Sequence, residues 1–170
     1  LPLDNFRIKY KCMDKTTSTS DSSQVIAPPP LIYLSGLAVG IVLHWLNPLP
    51  FLPNGFALPL GVAIITVSVV LVALAFRAFI RAKTNIDVRR PTTSIVRTGP
   101  YCFSRNPIYL SMTLLTIGIA IWVNTLWIII ALVPVLLVVR FGVIAREEAY
   151  LTKKFGDEYL RYKVKVRRWL

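Results

Sequence analysis

Two long stretches of this chain contain no charged side chain, and this feature limits the possible folds most strongly. The stretches are 22–76, whose one titratable group of note is His44, and 106–139. A helix crosses the bilayer core with ~20 consecutive apolar residues, so the first stretch is long enough for two crossings and the second is longer than one crossing needs. Hydrophobic residues make up 55% of the chain and charged residues 16%, whereas soluble proteins average roughly 25% charged. The sequence therefore predicts an integral membrane protein rather than a soluble globule or a disordered chain.

Turn-forming residues divide the uncharged stretches into predicted spans. Proline, asparagine and glycine cluster within 47–55, and Asn124-Thr125 interrupts the apolar run 108–139. One helix over the whole of that run would be ~48 Å long, whereas the hydrocarbon core is ~30 Å thick. We therefore expect a tight helical hairpin there and an all-α membrane fold. The predicted fold has about four transmembrane helices, at 31–50, 56–78, 107–122 and 125–144.

The basic residues lie in three blocks that flank the apolar stretches, at 1–21, 77–105 and 140–170. A net charge of +12 would indicate nucleic acid as a partner of a soluble chain. This arrangement instead follows the positive-inside rule, because the connections 47–55 and 123–125 carry no charge. We expect no nucleic-acid partner, and we expect an inner or plasma membrane protein with both termini cytoplasmic.

The two ends of the chain give separate predictions. Residues 1–30 are polar and then proline-rich, which predicts a disordered cytoplasmic tail. Within it we expect 1–12 to be an upstream extension before a start at Met13, and we expect no signal peptide. From Arg146 to Leu170, aromatic residues recur at helical spacing opposite lysines and arginines. This pattern predicts an amphipathic helix on the membrane surface, interrupted at Gly156.

Two polar segments beside the predicted spans contain the residues with catalytic potential. Segment 99–109 has glycine for close backbone approach, a helix N-terminus and the bidentate donor Arg105. Glu147 and Glu148 follow the fourth span, where carboxylates are able to bind an ammonium group. Taken alone, the first segment is more simply an interfacial turn and the second a surface charge offset by nearby cations. The predicted hairpin brings both to one membrane face, so we expect them to close over one pocket with the final helix.

No sequence fingerprint of a soluble enzyme accompanies these segments. The chain lacks the glycine-rich nucleotide-binding, nucleophile-elbow and zinc-protease patterns. One histidine and two cysteines without ligand spacing predict no metal site. An enzyme of this sequence would therefore act at the membrane face with another kind of site.

These motifs resemble those of the isoprenylcysteine carboxyl methyltransferase-like family of membrane methyltransferases, which is related to phospholipid methyltransferases. The family pattern is G-x-Y, then R-H-P-x-Y, then E-E, then F-G-x-x-Y-x-x-Y. In this chain the matching residues are 99–101, 105–109, Glu147-Glu148 and 155–162. The resemblance covers about 84–170. The predicted organisation is therefore two transmembrane helices at 31–80, from the apolar runs, followed by a methyltransferase-like cofactor region at 81–170, which the resemblance implies.

The resemblance also implies a function for the site. It implies that S-adenosylmethionine is the methyl donor, bound at the cytoplasmic face, with a catalytic role for Arg105. The cofactor-binding residues that it implies are Gly99, Tyr101, Arg105, Asn106, Pro107, Tyr109, Glu147 and Glu148. The cofactor's ammonium group suits a carboxylate, and its carboxylate suits an arginine.

Two positions depart from the family pattern. Asn106 replaces the family's histidine, and Val143 stands where the prenylcysteine branch has an arginine. The predicted acceptor is therefore a small lipophilic carboxylate, amine or thiol, and prenylcysteine is not singled out.

Two other functions remain open from the sequence. A non-catalytic scaffold would bind anionic membrane lipid through the basic faces of the chain. A small transporter would need polar groups at mid-bilayer, and the sequence offers few beyond His44, Ser68 and Thr116. The transporter ranks last, and the sequence does not predict an oligomeric state.

Overall fold

The computed structural model describes residues 25–83 and 94–169, and the regular elements in these ranges are all helical. A 3₁₀ turn, Gly99–Cys102, precedes α3, and a π-helical turn, Val139–Ile144, joins α4 to α5. The α-helices of the described ranges are α1 Pro29–Leu46, α2 Asn54–Arg81, α3 Pro107–Trp122, α4 Leu126–Val138, α5 Ala145–Phe155 and α6 Asp157–Lys165. Most of the tail predicted at 1–30 lies outside the described residues, and the start predicted at Met13 lies outside them too.

Three helical segments of the described chain are long and apolar enough to cross a membrane. They are Pro29–Leu46, Gly55–Arg81 and the continuous helix Leu126–Phe155, which joins α4 to α5. Helix α3 is equally apolar but has only 16 residues. At 1.5 Å per residue it is ~24 Å long, shorter than the ~30 Å core. The predicted all-α membrane fold is thus confirmed, whereas the count of four full spans is not.

The C-terminal region differs from the sequence prediction in where its helices begin. We expected the fourth span to end at residue 144 and a separate amphipathic helix to start at Arg146. The helix instead continues to Phe155, because neither glycine nor proline stands between residues 143 and 155. Gly156 then adopts a φ of 51°, which favours glycine, and α6 follows. The predicted interruption at Gly156 is confirmed.

Small residues allow the apolar helices to pack closely in pairs, α2 with α3 and α1 with α4. A Cβ added to Gly61 of α2 would lie 2.7 Å from the backbone nitrogen of Trp122, at the end of α3. A Cβ added to Gly40 of α1 would lie 2.7 Å from the Cα of Ile128 in α4. Such glycines let helix backbones approach within a membrane, where packing rather than the hydrophobic effect joins helices.

The two uncharged connections meet at one end of the helix bundle. The Asn124 side chain accepts hydrogen bonds from the backbone N–H groups of Phe51 and Leu52, at 3.1 and 2.9 Å, and donates one to the Leu52 carbonyl at 2.7 Å. The break predicted within 108–139 falls at this turn, between α3 and α4. The hairpin therefore returns the chain to the other, basic end, where the two candidate segments lie.

Candidate functional site

A pocket with charged side chains in a partly apolar lining, called the polar pocket below, lies at the basic end, between the 3₁₀ turn, the start of α3, α5 and α6. The pocket is lined by five residues that the sequence singled out: Tyr101, Arg105, Asn106, Glu147 and Glu148. The hairpin thus brings the glutamate pair to the segment that opens α3. The other lining residues are Phe79, Ser94, Ile95, Val96, Leu151, Tyr159 and Tyr162.

Glu148 is the centre of an ion cluster. Its carboxylate accepts two hydrogen bonds from the Arg168 guanidinium, at 3.0 Å from Nε and 2.7 Å from Nη2. Arg105 Nη1 lies 3.2 Å from its Oε1 atom, and Lys163 Nζ lies 3.7 Å from its Oε2 atom. Only 7% of the Glu148 side chain is exposed. Three cations thus compensate one buried carboxylate.

Arg105 is buried in this cluster with unused donor capacity. Only 9% of its side chain is exposed. In the described part of the chain its Nε atom has no hydrogen-bond partner, and its Nη1 atom has only the ion contact with Glu148, without a hydrogen bond. A buried donor without a partner is costly, so an unmet guanidinium nitrogen is a group that an anionic ligand would satisfy. The start of α3 fixes the position of Arg105. Proline suits the first residue of a helix, and Pro107, two residues after Arg105, begins α3.

Glu147 has a different environment from its neighbour. Successive residues of an α-helix point about 100° apart, so the two glutamates face different partners. The Tyr109 hydroxyl of α3 donates a 3.0 Å hydrogen bond to Glu147 Oε2. Among the described residues no cation forms an ion pair with Glu147. Glu147 is therefore the carboxylate of the pair that remains available to an ammonium group.

The π-helical turn just before α5 sets the position of both glutamates. It adds a residue to the helical register at Val139–Ile144, a feature often found at functional sites. Val143 and Ile144 in this turn are fully buried in the apolar core with Tyr33. Val143 stands at the position of the prenylcysteine-branch arginine. Its side chain packs in the apolar core and does not line the pocket.

Three of the sequence-predicted residues do not line the polar pocket. Gly99, with a φ of 62°, and Pro107 line a separate groove on the other side of the 3₁₀ turn. Tyr109 reaches the site only through its hydrogen bond to Glu147. The groove has a volume of about 720 Å³ and is mostly apolar, with Leu71, Leu74, Leu110 and Leu114 from α2 and α3.

Two tyrosines of α6, Tyr159 and Tyr162, line the polar pocket. Burial, followed by the charge of Glu148, raises the pKa of Tyr159 to about 12. Burial also raises the pKa of Tyr162, whose hydroxyl donates a 2.8 Å hydrogen bond to the Tyr101 carbonyl. Both therefore stay neutral hydroxyl donors at ordinary pH. The F-G-x-x-Y-x-x-Y motif marked them in the sequence, although we had assigned them no site role.

Arg168 is a further residue of the site that the sequence analysis missed. It stands among other basic residues near the C-terminus, where nothing in the pattern distinguishes it from Arg167. The backbone carbonyl of Arg168 accepts a 2.9 Å hydrogen bond from Asn106 Nδ2. The Asn106 amide thus binds the C-terminal segment.

Comparison with known proteins gives the class of this membrane protein. The family model of the phospholipid methyltransferases matches residues 56–158, more than half of the chain. The chain therefore belongs to the phospholipid methyltransferase family, and the resemblance drawn from the motifs is confirmed. Membership indicates a membrane methyltransferase, and methyltransferases of this family generally use S-adenosylmethionine. It lends no support to a non-catalytic scaffold.

One relative is similar over part of the chain. An uncharacterized protein of Haemophilus influenzae is 47% identical over 62 residues, which are 36% of this chain and 98% of the relative. No solved structure gives a significant match.

Proposed function

We propose that this protein transfers a methyl group from S-adenosylmethionine to a small lipophilic acceptor at the membrane face. The observation that carries the proposal is the pairing, in one pocket, of a buried arginine whose Nε donor has no partner among the described residues and a carboxylate that forms no ion pair with any of them. These groups, Arg105 and Glu147, complement the carboxylate and the ammonium group of an amino acid.

The chemistry of the pocket fits the cofactor, whereas its size in this structure does not. Its volume is about 70 Å³, and sites for drug-sized ligands start at about 300 Å³. Admission of a nucleoside therefore requires the walls of the pocket to separate. Helix α6, attached to α5 through Gly156, is the wall best suited to move, because glycine is conformationally permissive.

In this proposal each residue has a stated role. Bound S-adenosylmethionine supplies an electrophilic methyl group on a sulfonium centre. Arg105, the proposed catalytic residue, holds the cofactor's carboxylate, and Glu147, fixed by Tyr109, accepts the ammonium group. Tyr101 and Tyr159 exclude water from the pocket. Such positioning is a large part of catalysis when the reaction is an in-line displacement.

The apolar groove supports a lipophilic acceptor. It shares the 3₁₀ turn Gly99–Cys102 with the polar pocket, so one short segment separates a polar cavity from an apolar one. Its leucines lie on helices that are apolar enough for a bilayer. We propose that the acceptor reaches the site from the membrane and the cofactor from the cytoplasm. Carboxylate, amine and thiol acceptors all remain compatible with this arrangement.

Calorimetric titration of the purified protein in detergent tests the proposal. We expect S-adenosylhomocysteine to bind and Glu147→Gln to weaken binding about tenfold, because a charge-assisted hydrogen bond is replaced by a neutral one. The matched control is Glu158→Gln, which changes an exposed glutamate that does not line the pocket. A folded wild-type protein that gives no binding heat, or equal affinities in all three proteins, would contradict the proposal.

A further inference from the structure

After α6 the chain forms a strap across the entrance of α3. The strap comprises residues 166–169. The backbone N–H of Arg105 donates a 2.9 Å hydrogen bond to the Arg167 carbonyl, and Ser104 pairs with Arg167 as an isolated parallel bridge. Val166 is buried beside the tyrosines of α6, and Trp169 packs against the core that contains Tyr33. The backbone of the strap is therefore anchored on both sides of Arg168.

From this strap the Arg168 guanidinium donates two hydrogen bonds to the Glu148 carboxylate, a bidentate arrangement that suits carboxylate geometry. Arg168 is not among the residues that line the polar pocket, and 31% of its side chain is exposed. Glu148 in turn lies 3.2 Å from Arg105, which does line the pocket. Arg168 of the strap thus contacts Glu148, and Glu148 contacts the Arg105 guanidinium.

The geometry of these contacts determines what Arg168 is able to do. A carboxylate held by two hydrogen bonds from one guanidinium has a fixed plane and position. Because Arg105 Nη1 lies 3.2 Å from Oε1 of that carboxylate, a fixed Glu148 gives the buried Arg105 guanidinium a fixed counter-charge. The hydrogen bond to Glu148 raises the pKa of Arg168, so Arg168 stays charged throughout the ordinary pH range.

We propose that Arg168 is a positioning residue: acting through Glu148, it holds the Arg105 guanidinium where it receives the carboxylate of the cofactor. The inference rests on the proposed function, because it concerns the same pocket. Arg168 itself makes no contact with the cofactor. The role extends the site to a residue that lies outside both the sequence motifs and the family match, which covers residues 56–158.

Two ligands distinguish positioning from simple support of the fold. S-adenosylhomocysteine contains the amino-acid carboxylate that Arg105 would receive, whereas 5′-methylthioadenosine lacks it. We expect Arg168→Gln to weaken S-adenosylhomocysteine binding about tenfold and to change 5′-methylthioadenosine binding less than about twofold. Arg168→Lys keeps the positive charge but loses the bidentate hydrogen bonds. We therefore expect its affinity for S-adenosylhomocysteine to lie between those of the wild type and Arg168→Gln. Arg161→Gln, at an exposed position of α6, is the matched control and should bind both ligands normally.

The outcomes separate this inference from the proposed function. If the wild type binds S-adenosylhomocysteine and Arg168→Gln binds it equally well, the positioning role is wrong and the proposed function stands. If Arg168→Gln weakens the binding of both ligands equally, the positioning role is also wrong, because a loosened strap would affect any ligand in the pocket. If the folded wild type binds neither ligand, the proposed function fails and this inference fails with it. Melting temperatures in the same detergent, with Arg168→Lys as the milder variant, show that each protein is folded.

Discussion

Replacing Glu148 with glutamine should destabilise the protein far more than the same change at Glu158. Glutamine keeps the shape of the side chain but removes its charge, so the buried Arg105 loses its counter-charge. Breaking a buried ion pair in this way costs about 3–5 kcal/mol. Arg168 and Lys163 are 31% and 41% exposed and are able to turn to solvent, so the loss comes mainly from Arg105 and should be about 3 kcal/mol.

The Arg97–Glu158 ion pair provides the matched control. Its N···O distance is 2.7 Å, the same as the shortest contact between Arg168 and Glu148, but its side chains are 44% and 53% exposed. Exposed pairs contribute about 0–1 kcal/mol, because water solvates both ions when the pair is broken. Substitution with glutamine is the same at both sites, so burial is the main variable that differs.

Thermal unfolding followed by tryptophan fluorescence measures both variants. For a chain of this size 1 kcal/mol shifts the melting temperature by about 2–4 °C. We therefore expect Glu148→Gln to lower it by about 6–12 °C and Glu158→Gln by no more than about 4 °C. Both should be measured at one scan rate in one detergent. Equal shifts in the two variants would refute the reasoning from burial.

Four further substitutions, one of them a control, test the fold. Gly61→Ala places a Cβ 2.7 Å from the Trp122 nitrogen and should cost about 1–3 kcal/mol by chemical denaturation; Gly55→Ala meets open space and should cost nothing. Asn124→Ala removes the hydrogen bonds to the opposite connection and should cost about 1–3 kcal/mol, and an unchanged denaturation midpoint would contradict this. Because the pKa of Tyr159 is raised to about 12 from a normal value of about 10, its stabilisation is present below pH 10 and lost as pH rises towards 12. Tyr159→Phe should remove part of that alkaline loss in melting temperature, and identical pH profiles would contradict it.

Some parts of the site could be predicted because local chemistry specifies them. Pro107 after a polar loop marks the start of a helix, and the break at Asn124 follows from the length of an apolar run compared with a bilayer. These two limits bring the glutamates back to Arg105 in any compact hairpin. The family motifs then indicated which polar groups to follow.

The separate roles of the two glutamates were not predictable from their adjacency. In the sequence Glu147 and Glu148 are equivalent, and we assigned both to the cofactor. In the structure Glu148 is compensated by three cations, whereas Glu147 meets a tyrosine hydroxyl. The difference arises because successive residues of a helix point about 100° apart and because the strap, distant in sequence, supplies Arg168 to Glu148 alone.

The sequence alone determined that this chain enters a membrane, where its helices break and which motifs it carries, because hydrophobicity, charge and turn chemistry are local properties. Tertiary structure alone decided that Arg168 reaches Glu148, that Gly99 and Pro107 face an apolar groove, and that Arg105 is left with unmet donors. Those outcomes depend on the position of α6 and the strap after Gly156. Side chains far apart in sequence meet only when the packed helices fix the distance between them.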